Sequence, residues 1–161
     1  MKAFSTGIVA VAIVLFALVP DMSRAAEAPF APLIGNWSGS GTISVKDGAR
    51  ERIRCRGTNT GSGNSLKLGL VCASDSYKFE LTSDISYEGG NVSGTWGETS
   101  RSVFGSLSGR MSGGQIQATA QSPSFSAMLS ISTHGNRQSV VIRSPGSEIE
   151  EVAISMARGG R

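Results

Sequence analysis

The sequence has little of what most enzymes and metal proteins use. Its 161 residues include one histidine, His134, and two cysteines. A serine-type triad needs a histidine beside a nucleophile and a carboxylate, and no nucleophile-elbow sequence is present. The carboxylates Glu148, Glu150 and Glu151 are interpreted as a solvated strand edge rather than a glycoside-hydrolysing pair. We therefore predict no catalytic residues, no metal and no other cofactor, and we rank an enzyme below binding functions.

Charge and aromatic residues are also sparse. Charged residues make up 17% of the chain and aromatic residues 6%, and the formal net charge is +3. A nucleic-acid-binding domain normally has a strongly basic face with aromatic residues among the cations. Neither feature is present, so nucleic acid is not an expected partner.

The longest apolar run is too short for a membrane span. Ile8–Val19 contains twelve residues with no polar side chain, whereas a spanning helix needs about 20. A positive start at Met1-Lys2 precedes the run, Pro20 ends it, and Ser23-Arg24-Ala25 places small residues at a cut after Ala25. This pattern predicts a secretory signal peptide over residues 1–25 and one domain over 26–161. We expect a periplasmic or secreted protein without a transmembrane anchor after signal removal.

Two cysteines in an exported protein are expected to pair. Cys55 and Cys72 lie in alternating apolar–polar segments, separated by the turn-forming residues 58–65. A hairpin there sets Cys55 opposite Cys72 on the apolar face and Arg52 opposite Asp75 on the other. Opposed antiparallel residues lie about 4.5–5.5 Å apart at Cα, within the range that a disulfide accepts. We predict the Cys55–Cys72 disulfide, with two buried free thiols as the alternative.

Short alternating segments separated by turn-forming residues continue to the C-terminus. Tyr77–Leu81 and Ile85–Tyr87 are expected as separate strands, and Asp47-Gly48 is a typical hairpin turn. Short turns favour an up-and-down meander, and closure into a barrel removes its exposed edges. The sequence predicts an all-β, antiparallel up-and-down barrel of about 8–10 strands, with a two-sheet β-sandwich as the alternative.

The segment Leu33–Gly39 (LIGNWSG) places a G-x-W motif on the first predicted strand. It resembles the opening of calycin-type barrels: lipocalins, avidins and nitrobindin-like haem barrels. Ser93–Gly97 (SGTWG) resembles the Gly-Thr-Trp of avidins, but the later lipocalin motifs and a full set of biotin-binding residues are missing. The resemblance implies that Trp37 plugs the closed end of a barrel, with ligand contact as the alternative. By analogy with nitrobindins His134 would bind haem iron, but a solvated loop histidine is the preferred interpretation.

The chain also resembles uncharacterised small secreted bacterial proteins, a resemblance that implies no activity. Among its own features, four alternating arginines stand out, and we call them the arginine row: Arg50, Arg52, Arg54 and Arg56. The last three share one face of a strand because side chains alternate with period two. The preferred interpretation is that nearby carboxylates offset their charge on the outer surface: Glu51, Asp75 and Glu80. The alternative is a docking stripe for an anionic partner.

The leading hypothesis is a non-enzymatic protein that binds a small apolar or amphipathic ligand inside the barrel. The expected apolar lining is Trp37, Ile43, Leu68, Leu70, Phe79, Trp96, Phe125, Leu129 and Ile131. The alternative is an envelope interaction or structural module with a filled interior, which uses Arg52, Arg54 and Arg56 to dock an anionic envelope component. A cavity of about a few hundred Å³ would separate the two.

Overall fold

The computed structural model describes residues 28–159, which form a short 3₁₀-helix at Ala31–Leu33 followed by ten strands. The predicted signal peptide at 1–25 lies outside the described residues. The strands are β1 Gly35–Val45, β2 Arg50–Ser62, β3 Ser65–Ala73, β4 Lys78–Glu88, β5 Asn91–Glu98, β6 Val103–Ser112, β7 Gln115–Ser122, β8 Phe125–His134, β9 Arg137–Arg143 and β10 Ile149–Arg158.

Each strand pairs antiparallel with its neighbours in sequence, and β1 also pairs with β10, so the sheet closes into a barrel. The predicted up-and-down barrel is confirmed, and the β-sandwich alternative is wrong. Closure leaves every strand with two hydrogen-bonded neighbours, which removes the edges that an open sheet would expose. Within residues 28–159, no helix is long and apolar enough to cross a membrane.

Alternating side chains determine which face of each strand turns inward. In β2, Ile53, Cys55 and Asn59 are buried, whereas the arginines between and before them are exposed. The turn between β1 and β2 has the predicted Asp-Gly form: Gly48 has a φ of +86°, and Asp47 Oδ1 accepts a hydrogen bond from Ala49 N at 2.9 Å. A positive φ is unstrained for glycine, so this residue allows the tight reversal.

The prediction of two strands at Tyr77–Leu81 and Ile85–Tyr87 is wrong, because β4 runs unbroken through the polar residues between them. Ser83 stays in the ladder, paired with Leu68 of β3 and Trp96 of β5. Its hydroxyl donates to Thr95 O at 2.7 Å. A polar residue with a satisfied hydroxyl can occupy a strand interior, so Ser83 does not end the strand.

The two ends of the barrel differ. Phe30 and Leu33, in and beside the 3₁₀-helix, are almost fully buried and cover one end, which we call the closed end. The turns β5–β6, β7–β8 and β9–β10 surround the opposite end, which we call the mouth. At the seam between β1 and β10 the backbones approach closely, since a Cβ on Gly39 would lie 2.0 Å from Ser155 O. Only glycine allows this approach, so the sequence of β1 permits closure.

The Cys55–Cys72 disulfide is present, with the cysteines directly opposite each other and their Cα atoms 4.2 Å apart. The predicted pairing of Arg52 with Asp75 is wrong. The β2–β3 ladder ends at Arg54 and Ala73, because the chain then turns away and Ser74 N bonds to Tyr77 O at 2.8 Å. A disulfide inside a hairpin is typical of proteins that fold in an oxidising compartment.

Replacing both cysteines with alanine should lower the free energy of unfolding by about 3 kcal/mol, because the bridge no longer restricts the unfolded chain. The cysteines lie 17 residues apart in sequence. Guanidinium unfolding under non-reducing conditions measures the difference. Wild-type protein unfolded with a reductant is the matched control and should approach the variant. Equal midpoints for oxidised wild type and the double variant would contradict the expectation.

Candidate functional site

A cavity of about 450 Å³ lies inside the barrel. It reaches the mouth, where the exposed residues Arg101, Ser124 and Glu148 line it. Its wall is mainly apolar and includes Leu68, Leu70, Phe79, Leu81, Trp96, Leu107, Phe125, Leu129, Ile131, Val140, Ile142 and Ile149. The volume is on the scale of small-molecule sites, about 300–1,000 Å³. The interior of the barrel is therefore not filled by side chains.

The structure places five of the six predicted ligand-binding residues on the cavity wall: Leu68, Leu70, Phe79, Trp96 and Phe125. Trp96 and Phe125 lie side by side, with ring centroids 5.8 Å apart, and Trp96 Nε1 donates to Gln121 O at 3.3 Å. Trp37 does not line the cavity, and neither does Ile43. The wall therefore presents large apolar side chains with few free polar atoms, which suits an apolar guest.

Trp37 packs below the cavity at the closed end and is only 2% exposed. Its Nε1 donates to Leu33 O at 2.9 Å. The Arg158 guanidinium lies 4.4 Å from the centre of the indole ring and donates to Pro32 O at 2.8 Å and to Ile34 O. Trp37 is therefore a plug, as the family resemblance implies. Sequence reasoning missed Arg158, because a single arginine at the end of the last strand carries no motif.

Two buried amide side chains lie toward the closed end of the cavity wall, and we call this part the floor. Asn59 is 5% exposed and donates from Nδ2 to Leu33 O at 3.0 Å. Gln138 is 4% exposed and donates from Nε2 to Thr133 Oγ1 at 3.0 Å. Sequence reasoning missed both, although the alternation of side chains places each of them on the inward face of its strand. Asn59, for example, follows the buried Cys55 by four residues.

A buried carboxylate organises the mouth. Glu98 is 8% exposed and accepts hydrogen bonds from the backbone N–H groups of Glu80 (3.0 Å), Ser100 (3.2 Å) and Arg101 (2.8 Å). Burial raises the pKa of Glu98, but hydrogen bonds from Glu80, from the side chain and backbone of Ser100, and from Arg101 together outweigh it and lower the pKa below its ordinary value. Glu98 is therefore ionised near neutral pH, and its interactions hold the β5–β6 turn beside the cavity.

The arginine row lies outside the barrel on β2, where all four side chains are exposed. Hydroxyl side chains of β1 lie directly opposite the four arginines: Ser38, Ser40, Thr42 and Ser44. No salt bridge among residues 28–159 involves the row, so Glu51, Asp75 and Glu80 do not pair with it directly. Glu80 pairs with Lys78 at 2.9 Å, and Glu51 accepts a hydrogen bond from Ser76 N at 2.9 Å.

The remaining candidate groups do not join the cavity floor. His134 is exposed at the end of β8, with Nε2 3.1 Å from Ser132 Oγ, and does not line the cavity. Glu151 pairs with Arg143 at 2.7 Å, whereas Glu148 reaches the mouth. Within the described part of the chain, no three metal-binding side chains cluster. His134, which would bind haem iron by analogy with nitrobindins, therefore does not face the barrel interior.

No protein-family model matches the sequence, and neither does any curated protein sequence. Several solved structures share the fold, including the following two. Rv2717c from M. tuberculosis superimposes with a TM-score of 0.63 at 15% identity, over 81% of this chain and 95% of that protein. The S-type phycobiliprotein lyase CPES from Guillardia theta superimposes with a TM-score of 0.59 at 11% identity, over 82% and 91%. The likeness is one of fold, a calycin-like barrel.

Proposed function

We propose that this protein binds a small apolar or amphipathic molecule inside its barrel, without chemically transforming it, in the periplasm or outside the cell. The cavity of about 450 Å³ with a mainly apolar wall carries the proposal. Enclosing apolar ligand surface there contributes about 25 cal/mol per Å² removed from water. The charged and hydroxyl groups at the mouth suit a polar head group that remains in contact with water.

Titration with anilinonaphthalene sulfonate, an amphipathic dye whose emission rises in an apolar environment, tests this proposal. We expect saturable binding at one site per chain and displacement of the dye by medium-chain amphipathic molecules. Native mass spectrometry of protein purified from its own compartment would show whether a small molecule remains bound. Absence of both saturable dye binding and a co-purifying molecule would contradict the proposal.

The unpaired arginine row supports a second function, docking of an anionic envelope component to the outer wall of the barrel. Its four positive charges face solvent on one strand with no acidic partner among residues 28–159. The serine and threonine hydroxyl groups directly opposite on β1 add further hydrogen-bond donors beside the arginines. Arginine presents several N–H donors that match phosphate and carboxylate oxygens, so this face suits an anionic surface.

Changing Arg52, Arg54 and Arg56 together to glutamate should weaken binding to vesicles containing phosphatidylglycerol by at least about tenfold. The reason is that each cation near an anionic membrane surface contributes about 1 kcal/mol. Vesicle sedimentation at low salt measures the effect. The matched control changes three scattered exposed cations to glutamate: Lys46, Arg110 and Arg137. An equal loss in both variants would indicate a net-charge effect and contradict docking by the row.

A further inference from the structure

The orientation of the Asn59 amide is determined by its neighbour. Leu33 O can only accept a hydrogen bond, so the amide nitrogen must face it, and Nδ2 lies 3.0 Å away. The amide oxygen, Oδ1, therefore points away from Leu33. Among residues 28–159 no donor forms a hydrogen bond with Oδ1, although Asn59 is 5% exposed and lines the cavity. The floor thus offers an acceptor without a donor.

Among residues 28–159, Asn59 Oδ1 is not one of the fully buried side-chain atoms that lack a partner, so it is open to the cavity. A ligand that fills the cavity without donating to Oδ1 would bury it unpaired. Leaving a buried polar atom unpaired costs about 1–3 kcal/mol, whereas a hydrogen bond to it recovers that cost. The cavity around Asn59 includes the apolar side chains of Leu68, Ile131 and Met156. Sites of this kind discriminate strongly against ligands that lack the matching polar group, because the protein atom then stays unpaired.

The position of Asn59 determines which part of a ligand can reach it. It pairs with Gly35, the first residue of β1, and so lies toward the closed end. The mouth, with Arg101 and Glu148, is at the other end of the same cavity. A molecule that enters by the mouth brings its leading end to Asn59 and leaves its trailing end among the charged and hydroxyl groups.

From this geometry we propose that the cavity selects elongated amphipathic molecules that carry a hydrogen-bond donor, a hydroxyl or N–H group, on the end that enters first. Asn59 Oδ1 accepts that hydrogen bond, and the apolar middle of the molecule contacts the wall. This inference rests on the proposed binding function and narrows its ligand class. A molecule with a hydrocarbon leading end would leave Oδ1 unpaired and bind less tightly.

Three acids of similar length test the selection in wild-type protein by displacement of anilinonaphthalene sulfonate: dodecanoic, ω-hydroxydodecanoic and ω-methoxyundecanoic acid. The carboxylate remains at the mouth, and the ω end reaches the floor. The hydroxyl can donate, whereas the ether can only accept. We expect the hydroxy acid to bind about tenfold more tightly than the methoxy acid, in line with one hydrogen bond of about 1.4 kcal/mol.

The variant Asn59→Leu removes the acceptor at similar side-chain size. It should weaken binding of the hydroxy acid about tenfold and leave dodecanoic acid unchanged or tighter. The matched control is Ser83→Ala, which removes another polar group from the cavity lining, one whose hydroxyl already donates to Thr95 O. That control should keep the preference for the hydroxy acid.

Each outcome decides between the two proposals. If the acids bind but the methoxy acid matches the hydroxy acid, or Asn59→Leu weakens all three equally, the selection by Asn59 is overturned and binding in the cavity stands. If the dye binds but none of the acids displaces it, the selection is also overturned. If the dye does not bind to wild-type protein and no small molecule co-purifies with it, both proposals fall. Should Asn59→Leu not fold, the wild-type comparison of hydroxy and methoxy acids decides alone.

Discussion

Replacing Ala120 with tryptophan should weaken binding of anilinonaphthalene sulfonate about 60-fold. Ala120 lies on β7, lines the cavity and is only partly buried, so a larger side chain there extends into the empty volume. Excluding about 100 Å² of apolar ligand surface costs about 2.5 kcal/mol, which is about a factor of 60 in the dissociation constant. Dye titration measures the loss, and circular dichroism verifies that the barrel is retained.

The matched control for this change is Gln117→Trp. Gln117 lies on the same strand with its side chain exposed on the outer face. It therefore adds the same indole group without filling the interior, and we expect wild-type affinity. If Ala120→Trp bound the dye as tightly as Gln117→Trp, the dye would be binding outside the barrel, and the cavity would no longer carry the proposed function.

Replacing Trp37 with alanine should lower the free energy of unfolding by about 3–5 kcal/mol, the usual range for a fully buried large aromatic residue. The indole is 2% exposed and lies against Arg158. Packing accounts for the expected loss, because Leu33 O keeps its second hydrogen bond, from Asn59 at 3.0 Å. Guanidinium unfolding followed by circular dichroism measures it. If the alanine variant does not fold, Trp37→Phe should fold with a smaller loss.

Trp96→Ala is the comparison that separates the two tryptophans. Trp96 lines the cavity and is only partly buried, so its removal enlarges a volume that already exists. We expect a smaller loss of stability than for Trp37→Ala, together with weaker dye binding. Equal destabilisation by both substitutions would show that Trp37 is not a special plug at the closed end.

Local patterns in the sequence were sufficient to predict the barrel and its disulfide. Alternation with period two determines which side chains face inward, and the same alternation aligned Cys55 with Cys72. The same reasoning gave a wrong pair where the chain leaves the β2–β3 ladder, because the turn after Ala73 moves Asp75 away from Arg52, its predicted partner. Register within a hairpin follows from residue numbers, whereas the point where a ladder ends depends on the local turn.

The cavity was harder to predict, because alternation does not distinguish a residue that fills the interior from one that surrounds empty space. Trp37 and Trp96 both face inward, but one is a plug and the other lines the cavity. Asn59 went unnoticed because polar residues at inward positions carry no short motif. The sequence also could not show whether the arginine row forms salt bridges, because ion pairing depends on side-chain distances across strands and around turns.

Because the barrel has an even number of antiparallel strands, β1 begins and β10 ends at the same end of it, which is useful for engineering this protein. Gly159 N donates to Asn36 O at 2.8 Å, so the C-terminal end of β10 lies beside the start of β1. A circular permutant could join these neighbouring ends with a linker and begin instead within residues 99–102, between β5 and β6. All ten strand pairings would survive, and the new termini would lie beside the entrance, where a fluorophore could report the arrival of a guest molecule.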